Sequence, residues 1–402
     1  MSDRWMPGGV TAPQGFLASG TWSGIKRNRR PDLALIVATT PAVAAGLFTM
    51  NRIKAAPVLL AQQHLRRGRA RAILVNSGCA NCLTGRQGLR DARTVASAVA
   101  RQLALPLHDV LVASTGVIGR RLPVVRILRA VPRVVQRLSA RGHRESAWAI
   151  LTTDTHPKEA ALEWSLGRTR VRLGGMAKGA GMVAPHLATM LAFFTTDVAI
   201  SARLLRQALQ QACEASFHRI TVDGDMSTND TVLILASGQA GNAPITRAGV
   251  AFHQFAAHLT RLAAQLAHLL VRDGEGATKV AAIRVIHARS IREAERCARQ
   301  VANSPLVKTM LAGSDDNVGR IVAAVGASGV HVTPERLRVL VNGRLIVADG
   351  RQRPAPRAAV RALMRAETVH VTIDLRAGQA ATQLWTCDLT EGYVRLNARY
   401  TT

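Results

Sequence analysis

The chain has 402 residues, 48% of them hydrophobic, and sets 53 lysines and arginines against 25 acidic residues for a formal net charge of +28. That length exceeds one ordinary core and points to two lobes, while the lack of about 18 consecutive apolar residues argues against a membrane-spanning helix. The opening Met1-Ser-Asp-Arg-Trp-Met-Pro lacks the apolar centre of a signal peptide, so a cytoplasmic location is expected.

So basic a chain invites a nucleic-acid reading, since phosphate affinity grows with the number of cationic contacts. The arginines are scattered, however, and only 3% of residues are aromatic, too few for stacking platforms. Lysine occurs six times, at 26, 54, 158, 178, 279 and 308, which leaves 53 − 6 = 47 arginines. Arginine has taken over wherever any cation serves, and lysine remains where a compact ammonium matters. Five cysteines in a long chain argue against a disulfide framework. Cys79-Ala-Asn-Cys82 lacks a second ligand pair, so no metal site is expected.

Strands and turns are expected over residues 15–57, with Pro57 opening a helix over 58–64. Residues 72–78 form a buried strand that runs into Asn76-Ser77-Gly78, a sheet end of the kind where sites are placed. A helix follows over 91–103. Residues 110–119 form another buried strand, broken at Ser114-Thr115-Gly116, where a hydroxyl and a closely approaching N–H supply two donors. Two donors aimed at one point make an oxyanion hole, although such a tripeptide is also an ordinary turn. An amphipathic helix interrupted by Pro132 spans 122–140, and the polar stretch 150–158 gathers hydroxyls, a carboxylate and a lysine.

After a hairpin over 163–174 comes Met176-Ala-Lys-Gly-Ala-Gly-Met-Val-Ala-Pro-His-Leu-Ala-Thr189, which opens the apolar run 190–194. A threonine at the mouth of a buried strand can attack its own preceding carbonyl. The acyl group shifts from nitrogen to oxygen, and hydrolysis leaves a chain that begins with Thr189, whose α-amine then serves its hydroxyl as base. Alone, Ala188-Thr189 reads first as a buried strand whose threonine caps or pairs locally. Lys178, among glycines, suits a substrate carboxylate.

A helix capped by Ser201, the polar turn 218–230, a strand over 231–237 and a helix over 248–271 follow. Asp223-Gly-Asp225 lacks a calcium loop around it and reads as a sheet-end turn. Glu275, between two glycines, is placed to bind an ammonium group. The second lobe has a strand over 280–287, a helix with the capping box Ser290-x-x-Glu293, and strands over 338–348, 368–375 and 381–386. Tyr393-Val-Arg-Leu396 alternates like a strand.

These segments together, from Gly15-Phe16 to Thr402, resemble the ornithine acetyltransferase family, the self-cleaving glutamate N-acetyltransferases of arginine biosynthesis. The resemblance implies an α/β fold, a two-lobed layered sandwich of mixed sheets flanked by helices and processed like an N-terminal-nucleophile enzyme. It implies cleavage between Ala188 and Thr189 into an α chain (1–188) and a β chain (189–402), paired as α2β2. The implied reaction moves acetyl from N2-acetylornithine to glutamate through acetyl-Thr189, with Thr115 and Gly116 as oxyanion hole. Thr152, Lys178, Glu275, Asn397 and Thr402 would grip substrate. Acetyl-CoA as a further donor stays open, and no cofactor is implied. The family often has asparagine at position 79 and favours tryptophan at position 318, so neither Cys79 nor Val318 follows its pattern. The rival readings are a self-cleaving hydrolase or aminopeptidase with water as acceptor, and a basic RNA-binding protein.

Overall fold

A computed structural model describes residues 3–184 and 190–399. The chain divides into two compact units, Met1–His218 with Asp225–Leu270, and Arg219–Gly224 with Val271–Tyr400.

In the first unit the strands are β1 (Arg4–Met6), β2 (Phe16–Thr21), β3 (Leu33–Phe48), β4 (Arg69–Cys79), β5 (Val110–Val117), β6 (Lys158–Leu166), β7 (Thr169–Lys178) and β8 (Leu191–Thr196). After β9 (Ile220–Thr221), which belongs to the second unit, β10 (Thr231–Ala236) returns to the first. Helices α1 (Ala56–His64), α2 (Gly85–Gln102), α3 (Val124–Gln136), α4 (His143–Ala149), α5 (Ala202–Ala215) and most of α6 (Val250–Arg272) complete it.

The sheet order is β1-β6-β7-β8-β10-β3-β4-β5, with β2 also on β3. Long β3 serves twice. Its first half pairs with β2 and β4, its second with β10, and the β3–β4 register shifts between Val37 and Ala42. The two halves of the sheet pack face to face: Ile36, Ile73, Val75 and Leu111 share one core with Met176, Phe193, Leu233 and Leu235. The alternate residues Leu33, Leu35, Leu74 and Val112 point the other way, into a second core completed by Val95 and Val99 of α2 and Ile127, Val131 and Val134 of α3. Burial on both faces explains why these strands read as continuous apolar runs. On the far side α6 covers β6, where Trp164 stacks on His258 with centroids 4.4 Å apart. The layers therefore run helix, sheet, sheet, helix.

The second unit adds β11 (Val280–Ala288), β12 (Arg338–Val341), β13 (Arg344–Ala348), β14 (Arg351–Gln352), β15 (Thr368–Asp374) and β16 (Ala380–Cys387). Its sheet runs β14-β13-β12-β15-β11-β16-β9. Helices α7 (Ile291–Ala302), α8 (Pro305–Ala312), α9 (Gly319–Gly326), α10 (Arg357–Met364) and α11 (Glu391–Arg399) accompany it. Only half of the expected capping box forms: Ser290 Oγ accepts from the Glu293 N–H at 3.2 Å, while the Glu293 carboxylate makes no return bond to the Ser290 N–H among the described residues.

Several expectations differ from what is found. The Ser114-Thr115-Gly116 segment does not break its strand but stays in β5, because Asn76-Ser77-Gly78 of β4 continues alongside it in register. Pro132 stands inside α3 without interrupting it, since Ile127, Ala130, Val131 and Val134 are buried on both sides of it. Helix α2 starts at Gly85, six residues before the expected start. Ser201 occupies the N-cap of α5, yet its main-chain carbonyl, not its hydroxyl, receives the first helical bond, from Leu205. Residues 393–396 lie in helix α11. Four alternating residues fit one helical turn equally well, and Thr390 Oγ1 accepts from the Gly392 N–H where the helix begins. The 188/189 division also does not separate the two units, since β7 and β8, on either side of it, pair within the first.

Candidate active site

The first unit gathers Thr115, Thr152 and Lys178. Lys178 ends β7 and is 2% exposed, so it is a buried strand residue and not a loop lysine. Its ammonium donates to Thr152 Oγ1 at 2.6 Å and to Thr115 Oγ1 at 3.4 Å, and it faces Asp154 Oδ2 at 3.6 Å. A buried ammonium requires such partners, because its desolvation must be offset by charge and hydrogen bonds.

Asp154 supplies the countercharge. It is fully buried, and its Oδ1 accepts from Lys158 at 2.7 Å and from the Gly179 N–H at 2.7 Å. Burial alone would raise its pKa, but Lys178, Lys158 and the Gly179 N–H outweigh burial and hold the carboxyl far below the carboxylate range. Asp154 Oδ2 also accepts from the Thr152 N–H at 3.2 Å, which fixes that threonine's main chain. One residue earlier, the Leu151 carbonyl accepts from Lys26 Nζ at 2.7 Å. Burial lowers the Lys26 pKa to about 8 despite the opposing pull of Asp32.

Gly116 sits beside Thr115 with φ +126°, a conformation open to glycine, and a Cβ there would come within 2.3 Å of the Gly78 carbonyl carbon. The β4 and β5 ends are locked together: Ser114 Oγ donates to Asn76 Oδ1 at 2.6 Å, and Ser77 Oγ to the Ala149 carbonyl at 2.6 Å. Asn229 then donates to both the Ala80 and Ser114 carbonyls, at 2.7 and 2.8 Å. Among the described residues the Thr115 hydroxyl proton meets no acceptor, so it remains available to a ligand.

Two of the expected site residues meet in the second unit. Glu275 is 8% exposed, and its Oε2 accepts from Asn397 Nδ2 at 2.7 Å. The turn before β11 and the start of α11 touch closely here. Thr390 Oγ1 donates to the Gly276 carbonyl at 2.6 Å, and a Cβ on Gly276 would lie 2.5 Å from the Tyr393 nitrogen. Ala188, Thr189 and Thr402 lie outside the described residues. Cys79 and Cys82 are free thiols buried in the first unit. Among the described residues no group of three or more metal-binding side chains forms, and no helix is long and apolar enough to cross a membrane.

Sequence reasoning placed Asp154 and Lys158 only within a polar cluster, and Asn229 and Asp230 only within a polar turn. No local signal marks their roles, because the bonds that place them in the site reach across the fold, from Asp154 to Gly179, from Asn229 to Ser114 and from Asp230 to Met190, 25 or more residues away.

A layered α/β sandwich with a buried lysine between two hydroxyls suits an enzyme that binds a small polar substrate. The ArgJ family pattern matches residues 17–402. An "arginine biosynthesis bifunctional protein ArgJ" from Symbiobacterium thermophilum is 43% identical over 401 residues, covering 99% of this chain and 100% of its own. Its Geobacter sulfurreducens counterpart is 44% identical over 396 residues, covering 97% and 99%. A solved ornithine acetyltransferase from Mycobacterium tuberculosis, complexed with ornithine, is 44% identical with a TM-score of 0.43, over 46% of this chain and 98% of that one. The chain belongs to the ArgJ family, and it is an acyl-transferring enzyme of arginine biosynthesis.

Proposed function

We propose that the enzyme moves an acetyl group from N2-acetylornithine to glutamate, with Thr189 as carrier. The observation that supports this most is the buried Lys178 ammonium held between Thr115 and Thr152, at the end of the strand that leads into residues 179–190.

In maturation the Thr189 hydroxyl adds to the Ala188 carbonyl and the C–N bond breaks, the nitrogen taking up a proton. Water then cleaves the ester, leaving an Ala188 carboxylate and a free Thr189 amine and hydroxyl. In turnover the hydroxyl attacks the acetyl carbon of acetylornithine, and ornithine leaves with the proton passed on by the α-amine. Glutamate, its amine deprotonated, then attacks the acetyl ester and N-acetylglutamate departs. Thr115 and Gly116 face the oxyanion of both tetrahedral species. Thr152 and Lys178 bind substrate, the ammonium matching a carboxylate. Glu275 suits a substrate ammonium and is oriented by Asn397. Thr402 adds a hydroxyl to substrate binding, and whether acetyl-CoA also donates stays open. The α and β chains assemble as α2β2 in the cytoplasm.

The test combines intact mass under denaturing conditions with ornithine release. The wild type should show two chains and glutamate-dependent release, and Thr189→Ala one chain and no release. Release independent of glutamate would make the protein a hydrolase. A Thr189→Ala variant found as two chains would sink the threonine mechanism.

A further inference from the structure

Asp230 lies at the start of β10 and is fully buried. Its Oδ1 accepts from the Met190 N–H at 3.2 Å, and the Met190 carbonyl in turn accepts from the Thr231 N–H at 3.2 Å. Two bonds thus grip the single residue that separates position 189 from β8. The pairing of β8 with β10 starts one step later, at Leu191 opposite Thr231.

The neighbouring residue grips the other half of the site. Asn229 donates to the Ala80 and Ser114 carbonyls, so it holds the strand that carries Thr115 and Gly116. The Asn229-Asp230 step therefore spans from the candidate oxyanion strand to the chain directly after Thr189. Further bonds stiffen it: the Asn229 N–H donates to Ser227 Oγ at 3.1 Å, the Asp230 carbonyl accepts from the Thr49 N–H at 3.0 Å, and Thr231 Oγ1 donates to the Asn229 carbonyl at 2.9 Å.

We propose that Asp230 is the positioning residue for the nucleophile: through Met190 it fixes the main chain after Thr189 at a set distance from Thr115 and Gly116, for both scission and transfer. This rests on the reading of Thr189 as nucleophile. An unremarkable structural contact would not require a carboxyl, since burying one carries a desolvation cost that a smaller cap avoids. Moreover, Asp230 Oδ2 is buried without a well-formed hydrogen bond among the described residues, with only the nearby Thr49 and Ser227 hydroxyls to offset its burial. Burial raises the Asp230 pKa well above the carboxylate range, against the pull of the Met190 N–H and Lys178.

The experiment compares Asp230→Asn, which keeps an acceptor at the Oδ1 position, with Asp230→Ala, which removes it. Fresh full-length protein is followed by intact mass, and thermal melting verifies folding. Asp230→Ala should cleave about 10²-fold more slowly than wild type, and its matured fraction should show a lowered kcat at unchanged KM for glutamate. Asp230→Asn should restore both. If Asp230→Ala does not fold, Asp230→Ser takes its place, its short side chain unable to reach Met190. Cleavage of the acceptor-less variant at the wild-type rate overturns the proposal. So does an Asp230→Asn variant as slow as Asp230→Ala, which would make the proton the requirement. A wild type that stays one chain, like Thr189→Ala, removes the nucleophile reading itself and this inference with it.

Discussion

Lys178 Nζ lies 3.4 Å from Thr115 Oγ1 although their strands, β7 and β5, stand five places apart in one sheet. At about 4.8 Å per strand a flat sheet would hold them roughly 24 Å apart. The fold of the sheet at β3 brings them together, so the site lies where one end of the sheet meets the other.

Thr115→Val keeps the shape of the side chain and removes its hydroxyl. Turnover should fall by about 10²-fold, while the melting temperature holds, because Lys178 retains Thr152 and Asp154. Steady-state kinetics beside a thermal melt decide the matter, and unchanged turnover would return Ser114-Thr115-Gly116 to a purely structural role.

Lys178→Arg tests whether the site needs a compact ammonium. Lys178 is buried, and a planar fork does not reproduce two hydrogen bonds and an ion pair from one nitrogen. The apparent affinity for glutamate should weaken at least about tenfold, the worth of roughly 1.4 kcal/mol. A wild-type value would mean that any cation serves.

Asp154 ties stability to acid. Its folded pKa is depressed, so its contribution is fully present above the unfolded value of about 3.9 and is lost as pH falls below that. Asp154→Ala leaves Lys158, fully buried, without its 2.7 Å partner and should cost about 3–5 kcal/mol. Chemical denaturation from pH 7 down to pH 2 should show the stability gap between wild type and Asp154→Asn constant to about pH 4 and shrinking below it.

Asn397→Ala removes the donor that orients Glu275, 2.7 Å away. Scission should proceed as in wild type, since the proposed attack of Thr189 on the Ala188 carbonyl calls on Thr115 and Gly116 and not on Asn397 or Glu275. Acetyl transfer should drop by about tenfold or more, and deletion of residues 396–402 should abolish it and let acetyl groups leak to water. Full transferase activity after the deletion would take the tail, Asn397 and Thr402 included, out of the reaction.

How much of this was legible in the sequence depends on how local the signal is. Apolar runs marked the buried strands, and Ser290-x-x-Glu293 marked a helix start, because a few consecutive residues decide each. The lysines were informative for a different reason. None of the six is exposed, and Lys158, Lys178 and Lys308 are buried, so a composition that favours arginine keeps lysine where a guanidinium does not fit. Helix α11 was not legible, since four alternating residues suit either period. Nor were the unit boundaries. The chain leaves the first unit at Arg219, returns at Asp225 and leaves again at Val271, a path set by strand pairing and not by any linker composition. Asp154 and Asp230 could not stand out, because what distinguishes them is burial beside distant partners.

The place of β8 has a consequence for the life of the molecule. It is paired on one side with β7, which precedes the expected cut, and on the other with β10, which follows it; β3, from the front of the chain, seals β10 in turn. A cut at the proposed place would therefore leave two interwoven pieces, and no pulling apart short of melting the sheet would free one from the other. The order of events is fixed as well. Residue 190 is held by Asp230 and Thr231 only once β10 has joined β8, so under the proposed mechanism a chain would be ready to cut itself only after its central sheet has closed. If the chain cleaves as proposed, the fraction of freshly made molecules found in two pieces would be a clock of completed folding.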